Sequence, residues 1–281
     1  MAIKNYKPKT STLRATKLLR SSDLSKEKAP RLLTVAKKKK SGRNDQGKVT
    51  VRHRGGGFKR RVRIVDYKRN KFGVKATVTA IHYDPNRTAN LALLTYVDGD
   101  KRLINALKGL KVGDVVVSDE QTDVLLGNAM KIKNIPSGTL VSSVEIVPGN
   151  GAAIARSAGN SVLVQGFDPS GKYVQVKMPS GEIRLINGEC MATIGQIGNE
   201  EWVNVKMGKA GRRRNLGWRP TVRGMAMHAV QHPHGGGEGK GVIGRAKDIW
   251  GHRVGTKTRK NKRTQKYIVS RRKVRTRPDK A

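Results

Sequence analysis

Cysteine is almost absent from this chain, since Cys190 is the single one among 281 residues. One thiol excludes an intrachain disulfide and any zinc site built from several cysteines. Acidic residues are also few, with 20 Asp+Glu against 59 Lys+Arg, and the formal net charge is +39. Because such an excess repels itself unless a polyanion neutralises it, the composition indicates nucleic acid as a partner or, second, an anionic membrane surface.

Long apolar runs are missing as well. No stretch approaches the roughly 20 residues that a helix needs to cross a bilayer, and residues 1–9 lack the apolar centre of a secretory signal. The basic segments show no apolar stripe of the kind that places a helix on a membrane surface. Aromatic residues make up only 4%, which disfavours a single-strand binder built on stacked bases. We therefore expect a soluble chain that recognises folded RNA, although charge alone does not separate RNA from DNA.

The positive charge is concentrated at the two ends of the chain. Residues 1–70 hold 23 Lys+Arg and 4 Asp+Glu, residues 71–200 hold 13 and 12, and residues 201–281 again hold 23 and 4. The N-terminal end has little apolar periodicity beyond 32–35, and the C-terminal end has little beyond a short strand predicted at 267–269. Neither end can therefore bury enough apolar area to offset chain entropy. We therefore predict basic extensions that become ordered only along a partner.

The nearly neutral middle carries the short apolar segments and turn signals of small β-barrels. A boundary within 123–136 divides it most simply into two barrels, with one barrel and long excursions as the alternative. Residues 149–159, with glycine at both ends, are predicted to form a short helical turn from which Arg156 projects. The predicted strands are 74–83, 91–97, 102–106, 114–118, 140–147, 161–166, 173–178 and 182–186.

Arginine, lysine and glycine alternate in three segments, residues 52–61, 212–219 and 257–263. The cations neutralise phosphates, and glycine lets the backbone approach a crowded RNA surface. These segments are predicted to bind RNA.

The segment from His232 to Gly239 is the best candidate for other chemistry. Its two histidines, His232 and His234, could ligate a metal or provide a general base. A metal would need further ligands, for which His228, Glu238, His252 and Cys190 are the candidates. A metal-dependent nuclease or transferase is therefore the second hypothesis, and a chromatin-like packaging protein is the third. The G-x-G-x-x-G match at 239–244 lacks the preceding strand and the later acid that nucleotide binding requires.

Several long motifs in the same order resemble the ribosomal protein L2 family in its bacterial or organellar form. They are Arg52-His53 with Gly55–Gly57, residues 63–71, 83–87, 155–159 and 219–224, and the segment His232–Gly239. The resemblance implies a mainly β fold with an OB-like barrel followed by an SH3-like barrel. The expected divisions are a basic N-terminal extension at 1–59, the OB-like barrel at 60–123, the SH3-like barrel at 124–200 and a basic glycine-rich extension at 201–281.

The resemblance also implies a function without catalysis. The expected protein is a structural constituent of the large ribosomal subunit that binds ribosomal RNA and contacts neighbouring ribosomal proteins. It would support subunit assembly, association with the small subunit, tRNA binding and the peptidyl-transferase region, the last through His232. No cofactor is expected, with RNA-bound Mg²⁺ left open, and no membrane partner. The expected RNA-binding residues are Arg52, His53, Arg54, Lys68, Arg69, Lys71, Arg87, Arg156, Arg219, Arg223, His232, His234, Lys257, Arg259 and Arg263.

Two segments depart from the family pattern. Residues 228–231 read His-Ala-Val-Gln where the family usually has Asn-Pro-Val-Asp, which removes the carboxylate expected beside His232. The C-terminal extension also continues through residues 276–281, for which the resemblance implies no role. Because no transit peptide is evident, the expected location is a bacterial cytoplasm, with an organellar ribosome as the alternative.

Overall fold

A computed structural model gives the fold and describes residues 3–20, 22, 24–237, 239, 244–256 and 262–271. The chain separates into two compact units. The first unit contains residues 1–37, 59–208 and 264–281, and the second contains residues 38–58 and 209–263. No helix in the described part of the chain is long and apolar enough to span a bilayer.

The regular elements are short, and most are strands. Short 3₁₀ turns lie at Arg31–Leu33, Ile132–Asn134, Glu200–Asn204, Gly224–Ala226 and Gln265–Tyr267. In chain order the strands and helices are β1 Ile3–Asn5, α1 Ser11–Arg14, β2 Lys17–Leu19, β3 Thr34–Ala36, β4 Arg61–Arg63, β5 Ala76–His82, β6 Leu91–Tyr96, β7 Lys101–Asn105, β8 Val115–Val116, β9 Ala129–Lys131, β10 Leu140–Ser142, β11 Val162–Phe167, β12 Tyr173–Lys177, β13 Ile183–Asn187, β14 Met191–Ile194, α2 Ala210–Asn215 and β15 Ile268–Ser270.

The first barrel of the first unit contains a four-stranded antiparallel sheet in the order β7-β6-β5-β8. Burial alternates along β5, so that Ala76 and Val78 are covered. Together with Leu94 and Ile104 they belong to one apolar core. The turn between β6 and β7 contains Gly99 at φ +84°, a conformation that favours glycine. The period-two pattern of the sequence thus places one face of the sheet in the core.

The second barrel contains a seven-stranded sheet in the order β15-β13-β12-β11-β10-β14-β9. Alternating valines of β11 and β12, such as Val164 and Val176, are fully buried with Met130 and Cys190. The edge strand β15 comes from the C-terminal extension and pairs with β13. The short strand predicted at 267–269 is therefore confirmed, and it forms part of this barrel's sheet.

Residues 195–198 connect the two barrels of the first unit. Ile197 follows the last strand of the second barrel in sequence, yet it is buried in the core of the first barrel. It forms a bridge with Leu107, and Gly198 N–H donates to the carbonyl of Ala106 at 2.9 Å. Asn105 also donates to Ser143 across the junction at 3.2 Å. The barrels are therefore held together by backbone bonds and a shared core, while the domain boundaries at 60–123 and 124–200 stay a prediction.

The mainly β fold and the eight predicted strands are confirmed, with β8 and β10 shorter than predicted. The helical turn predicted at 149–159 is wrong. Ile154 instead forms a bridge with Val144, because its N–H donates to the Val144 carbonyl at 3.0 Å. Strand pairing supplied by tertiary structure thus outweighs the short local preference for a turn of helix. β9, β14, α2 and the pairs β1–β2 and β3–β4 were not predicted, although the apolar residues at 32–35 overlap β3.

Candidate nucleic-acid interface

A turn at residues 66–69 of the first unit carries several predicted RNA-binding residues. Asp66 fixes this turn, because one of its carboxylate oxygens accepts the backbone N–H groups of Lys68 at 3.0 Å and Arg69 at 2.8 Å. Its other oxygen accepts from Arg102 at 2.9 Å. The Tyr67 carbonyl accepts from Ala152 N–H at 2.8 Å, which ties the turn to the second barrel. Both barrels therefore determine where the turn lies.

The Tyr67 ring collects two of the predicted arginines. The guanidinium carbon of Arg156 lies 4.9 Å from the ring centroid, and that of Arg87 lies 5.9 Å from it. Arg87 also pairs with the buried carboxylate of Asp84 at 2.8 Å, whereas Arg156 is exposed. Lys68, beside the ring in sequence, is exposed as well. An aromatic face that holds guanidinium groups while leaving their N–H donors accessible suits the binding of phosphate.

Arg69 lies inside the protein. Only 5% of the residue is exposed, and its guanidinium donates to Ser118 Oγ at 2.8 Å and to the Gly127 carbonyl at 3.2 Å. Burial lowers the pKa of Arg69. Direct contact of Arg69 with RNA stays a prediction. The buried position instead favours a structural role, in which Arg69 stabilises the first barrel next to the Asp66 turn.

Lys71 is neutralised within the first barrel. Its ammonium group hydrogen-bonds Asp98 and lies 3.3 Å from Asp100, and it sits 4.4 Å from the centroid of Tyr96. Although desolvation lowers the pKa of Lys71, the hydrogen bonds with the two aspartates outweigh it and raise that pKa. Two carboxylates therefore already neutralise the charge of Lys71, which makes Lys71 less suited to binding a phosphate.

The second unit holds the predicted residues Arg52, His53, Arg54, Arg219 and Arg223. All four arginines are exposed, and His53 is partly buried with φ +59°. His53 accepts the backbone N–H of Arg219 at 3.0 Å through its carbonyl. The basic segments 52–61 and 212–219, which are distant in sequence, therefore meet in this unit.

His232 and His234 are fixed by backbone donors. His232 Nδ1 accepts from the N–H of His234 at 3.0 Å, and His234 Nε2 accepts from the N–H of Lys247 at 2.9 Å. The two rings lie 4.9 Å apart, edge to face. Gly224 makes room for His232, because a Cβ there would lie 2.4 Å from the imidazole ring. Each ring thus uses one nitrogen to hold the loop, as expected of a structural support.

Among the residues that the structure describes, the candidate metal ligands do not form a cluster. Within the described ranges, no group of three or more His, Cys, Asp or Glu side chains could hold a metal ion. Cys190 is buried, and burial raises the pKa of its thiol to about 12. His252 pairs with Asp248 at 3.0 Å. Glu238, Lys257, Arg259 and residues 276–281 lie outside the described residues, whereas Arg263 is described and lies in a turn.

The residues that support the candidate interface were not predicted from the sequence. Glu145 is 1% exposed, and its carboxylate accepts the N–H groups of Gly149, Gly151 and Met191 at 2.8–3.2 Å. It thereby shapes the loop that leads to Arg156. Gly151 lies beside Tyr67 in this loop at φ +86°, a conformation that favours glycine. A single glutamate in a weakly polar stretch gave no signal of such a role.

Two family models match this chain. The model described as Ribosomal Proteins L2, RNA binding N-terminal domain, matches residues 30–118. The model described as Ribosomal Proteins L2, C-terminal domain, matches residues 125–251. The first match contains the Asp66 turn and Arg87, and the second contains Arg156 and the histidine loop.

Proposed function

Because this chain belongs to the ribosomal protein L2 family, we propose that it supports assembly of the large subunit, association with the small subunit, tRNA binding and the peptidyl-transferase region. Membership itself makes the chain a ribosome-associated structural constituent with an RNA-binding N-terminal domain, in a family that is not one of enzymes. The nuclease and packaging hypotheses are therefore set aside. A bacterial cytoplasm is the proposed location, and no cofactor is part of the proposal.

The observation that carries this proposal is the placement of Arg156 on Tyr67. Its guanidinium is exposed while its support comes from both barrels, through the Asp66 turn on one side and the Glu145 loop on the other. A cation held in this way loses little conformational freedom when it binds a phosphate. The first unit thus offers ribosomal RNA a preformed contact in addition to its basic segments.

Sucrose-gradient sedimentation of a source-cell lysate tests the ribosomal assignment. We expect the chain to migrate with the large subunit at moderate salt and to remain there after the subunits are separated. High salt should release it, because phosphate contacts are lost steeply as salt rises. A chain that stays at the top of the gradient at moderate salt, while ribosomes sediment normally, would overturn the proposal.

Two point variants test the part played by Arg156. Arg156→Ala should weaken binding of a large-subunit ribosomal RNA transcript roughly threefold to tenfold. Lys111→Ala is the matched control, since Lys111 is an exposed cation of the first barrel, and it should change affinity little. Equal losses from the two variants would mean that only total charge matters.

The proposed support of peptidyl transfer rests on His232. Large subunits assembled with His232→Ala should form peptide bonds more slowly, because the loop from His232 to Gly235 loses the ring that holds the His234 N–H. His228→Ala is the comparison within the same loop. If subunits with His232→Ala assemble fully and transfer peptides at the normal rate, His232 has no part in that region.

A further inference from the structure

Two basic segments of the second unit are paired through their backbones. Gly55 N–H donates to the Gly217 carbonyl, and Phe58 N–H donates to the Asn215 carbonyl, each at 3.0 Å. Arg54 and Trp218 also form a β-bridge. The segment that precedes the barrels and the one that follows them are therefore one structural element at this point.

Glycine makes the pairing possible. Gly57 adopts φ +79°, and a Cβ on it would lie 2.7 Å from Gly217 N and 2.8 Å from the Asn215 carbonyl oxygen. Both of these are backbone atoms that cannot swing aside. Gly217 itself adopts φ +92°, so the close approach requires glycine on both sides.

Trp218 brings arginines from both segments together. The guanidinium carbon of Arg54 lies 3.5 Å from the indole centroid, and that of Arg213 lies 5.3 Å from it. Arg214, one residue further along α2, donates to the Trp218 carbonyl at 3.1 Å. The electron-rich face of the indole attracts each guanidinium and so offsets part of their mutual repulsion. The contacts also use the ring as a scaffold, which leaves it poorly placed to stack on a base.

No carboxylate neutralises this cluster within the described part of the chain, where Arg54, Arg213, Arg214 and Arg219 have no ion pair. All four are exposed. The whole unit carries 22 Lys+Arg and 3 Asp+Glu. Planar guanidinium groups donate in pairs to carboxylate or phosphate oxygens, and the phosphodiester backbone of RNA presents many such oxygens side by side.

We propose that Arg54, Arg213, Arg214 and Arg219, arranged around Trp218, form one composite site for the phosphodiester backbone of RNA. Both basic segments build it, so neither segment binds there alone. This rests on the proposed function only in taking ribosomal RNA as the source of the phosphates.

Two glycine variants of the full chain test whether pairing of the segments creates the site. Gly57→Ala places a methyl group against backbone atoms, whereas Gly47→Ala, at nearly the same φ of +77°, meets nothing within 4 Å. Neither variant changes charge. With a large-subunit ribosomal RNA transcript as the probe, Gly57→Ala should weaken binding roughly tenfold or more, and Gly47→Ala should stay within about threefold of the unaltered chain.

A second pair of variants keeps the test informative if Gly57→Ala disturbs folding. Trp218→Leu removes no charge, yet it should weaken binding roughly fivefold and make the dependence of affinity on salt shallower, because the arginines lose their common support. Lys48→Ala, which removes an exposed cation that does not contact Trp218, should have the smaller effect on affinity.

The outcomes separate the two proposals. If Trp218→Leu and Gly57→Ala bind with the affinity and salt dependence of the unaltered chain, the composite site does not exist, although the ribosomal assignment stands. If the unaltered chain itself prefers ribosomal RNA no more than a random RNA of equal length, the assignment fails first. A larger loss from Lys48→Ala than from Trp218→Leu would also overturn the composite site.

Discussion

The two compact units carry nearly equal net charge on very different lengths of chain. The first has 37 Lys+Arg and 17 Asp+Glu over 205 residues, a net of +20, and the second has 22 and 3 over 76 residues, a net of +19. In the first unit, cations lie beside carboxylates, as Lys71 does with Asp98 and Asp100. In the second, Arg54 and Arg213 contact the Trp218 ring and have no carboxylate partner within the described residues. A count of cations therefore overstates how many of them are available to RNA.

A second group of ion pairs in the first unit also neutralises a cation. Lys131 lies 2.6 Å from Glu120 and 2.9 Å from Glu189, and hydrogen bonds with these two glutamates raise the pKa of Lys131. Such exposed pairs contribute little to stability. They do give each of these cations a carboxylate partner, so we expect phosphate to be bound by cations without such a partner, such as Arg156 and Lys68.

Removal of the Glu145 carboxylate should have the largest effect on the first unit. Glu145→Ala leaves three backbone N–H groups without their acceptor, and we expect the free energy of unfolding to fall by about 3–5 kcal/mol. Denaturant unfolding of the full chain measures this. Glu189→Ala, which removes an exposed carboxylate, is the control and should change the midpoint little. A small effect from Glu145→Ala would mean that the loop rearranges to find water.

A variant of Arg69 tests whether this buried arginine, which was expected to bind RNA, stabilises the fold instead. Arg69→Lys cannot keep both hydrogen bonds, to Ser118 and to the Gly127 carbonyl, so the free energy of unfolding should fall by roughly 2 kcal/mol. Lys68→Arg, one residue earlier and exposed, should leave stability unchanged. If Arg69→Lys instead keeps full stability and weakens RNA binding, Arg69 belongs to the interface directly.

The salt dependence of RNA binding distinguishes cations that have a carboxylate partner in the protein from cations that have none. Arg156→Ala should make the slope of log K against log salt shallower by about 0.7–0.9, the loss of one phosphate contact. Lys71→Met should change that slope much less, because Asp98 and Asp100 already neutralise Lys71. Filter binding over a range of salt concentrations gives both slopes. If the two variants changed the slope equally, the carboxylate partners of Lys71 would not keep it from binding phosphate.

Much of the fold could be predicted because strand periodicity is a local property. β5, with alternate residues buried, matches the strand predicted at 74–83. The helical turn predicted at 149–159 was wrong because the bridge of Ile154 to Val144 and the bonds to the Glu145 carboxylate, both formed with residues just before the segment, take its backbone N–H groups instead. Pairings between distant segments have no local signature, which explains why β9 and β14 were missed.

The candidate site could be predicted as a set of residues but not as an arrangement. Arg87 and Arg156 were both expected, whereas their shared contact with Tyr67 follows from the packing of two barrels. Likewise, the three glycines at 55–57 were expected to allow a close approach to RNA, whereas the structure places Gly57 against the backbone of Gly217. The charge of Arg69 suggested a surface, and only the structure shows that it is buried.

Acid unfolding tests the difference between the ion pairs of the two units, and its expected effect is the smallest. The hydrogen bond from Lys71 lowers the pKa of Asp98, and the one from Arg102 lowers the pKa of Asp100, both from an ordinary value of 3.8. A carboxyl whose pKa is lower when folded contributes stability above 3.8 and loses it as the pH falls through the lowered value. Asp98→Asn should therefore cost a little stability at neutral pH and flatten the decline below pH 3.8. Urea midpoints measured against pH give both quantities, with Asp45→Asn in the second unit as the control, because Asp45 makes one exposed pair with Lys40. If both variants change the acid limb equally, the pairing of Lys71 does not differ in kind from an ordinary surface ion pair.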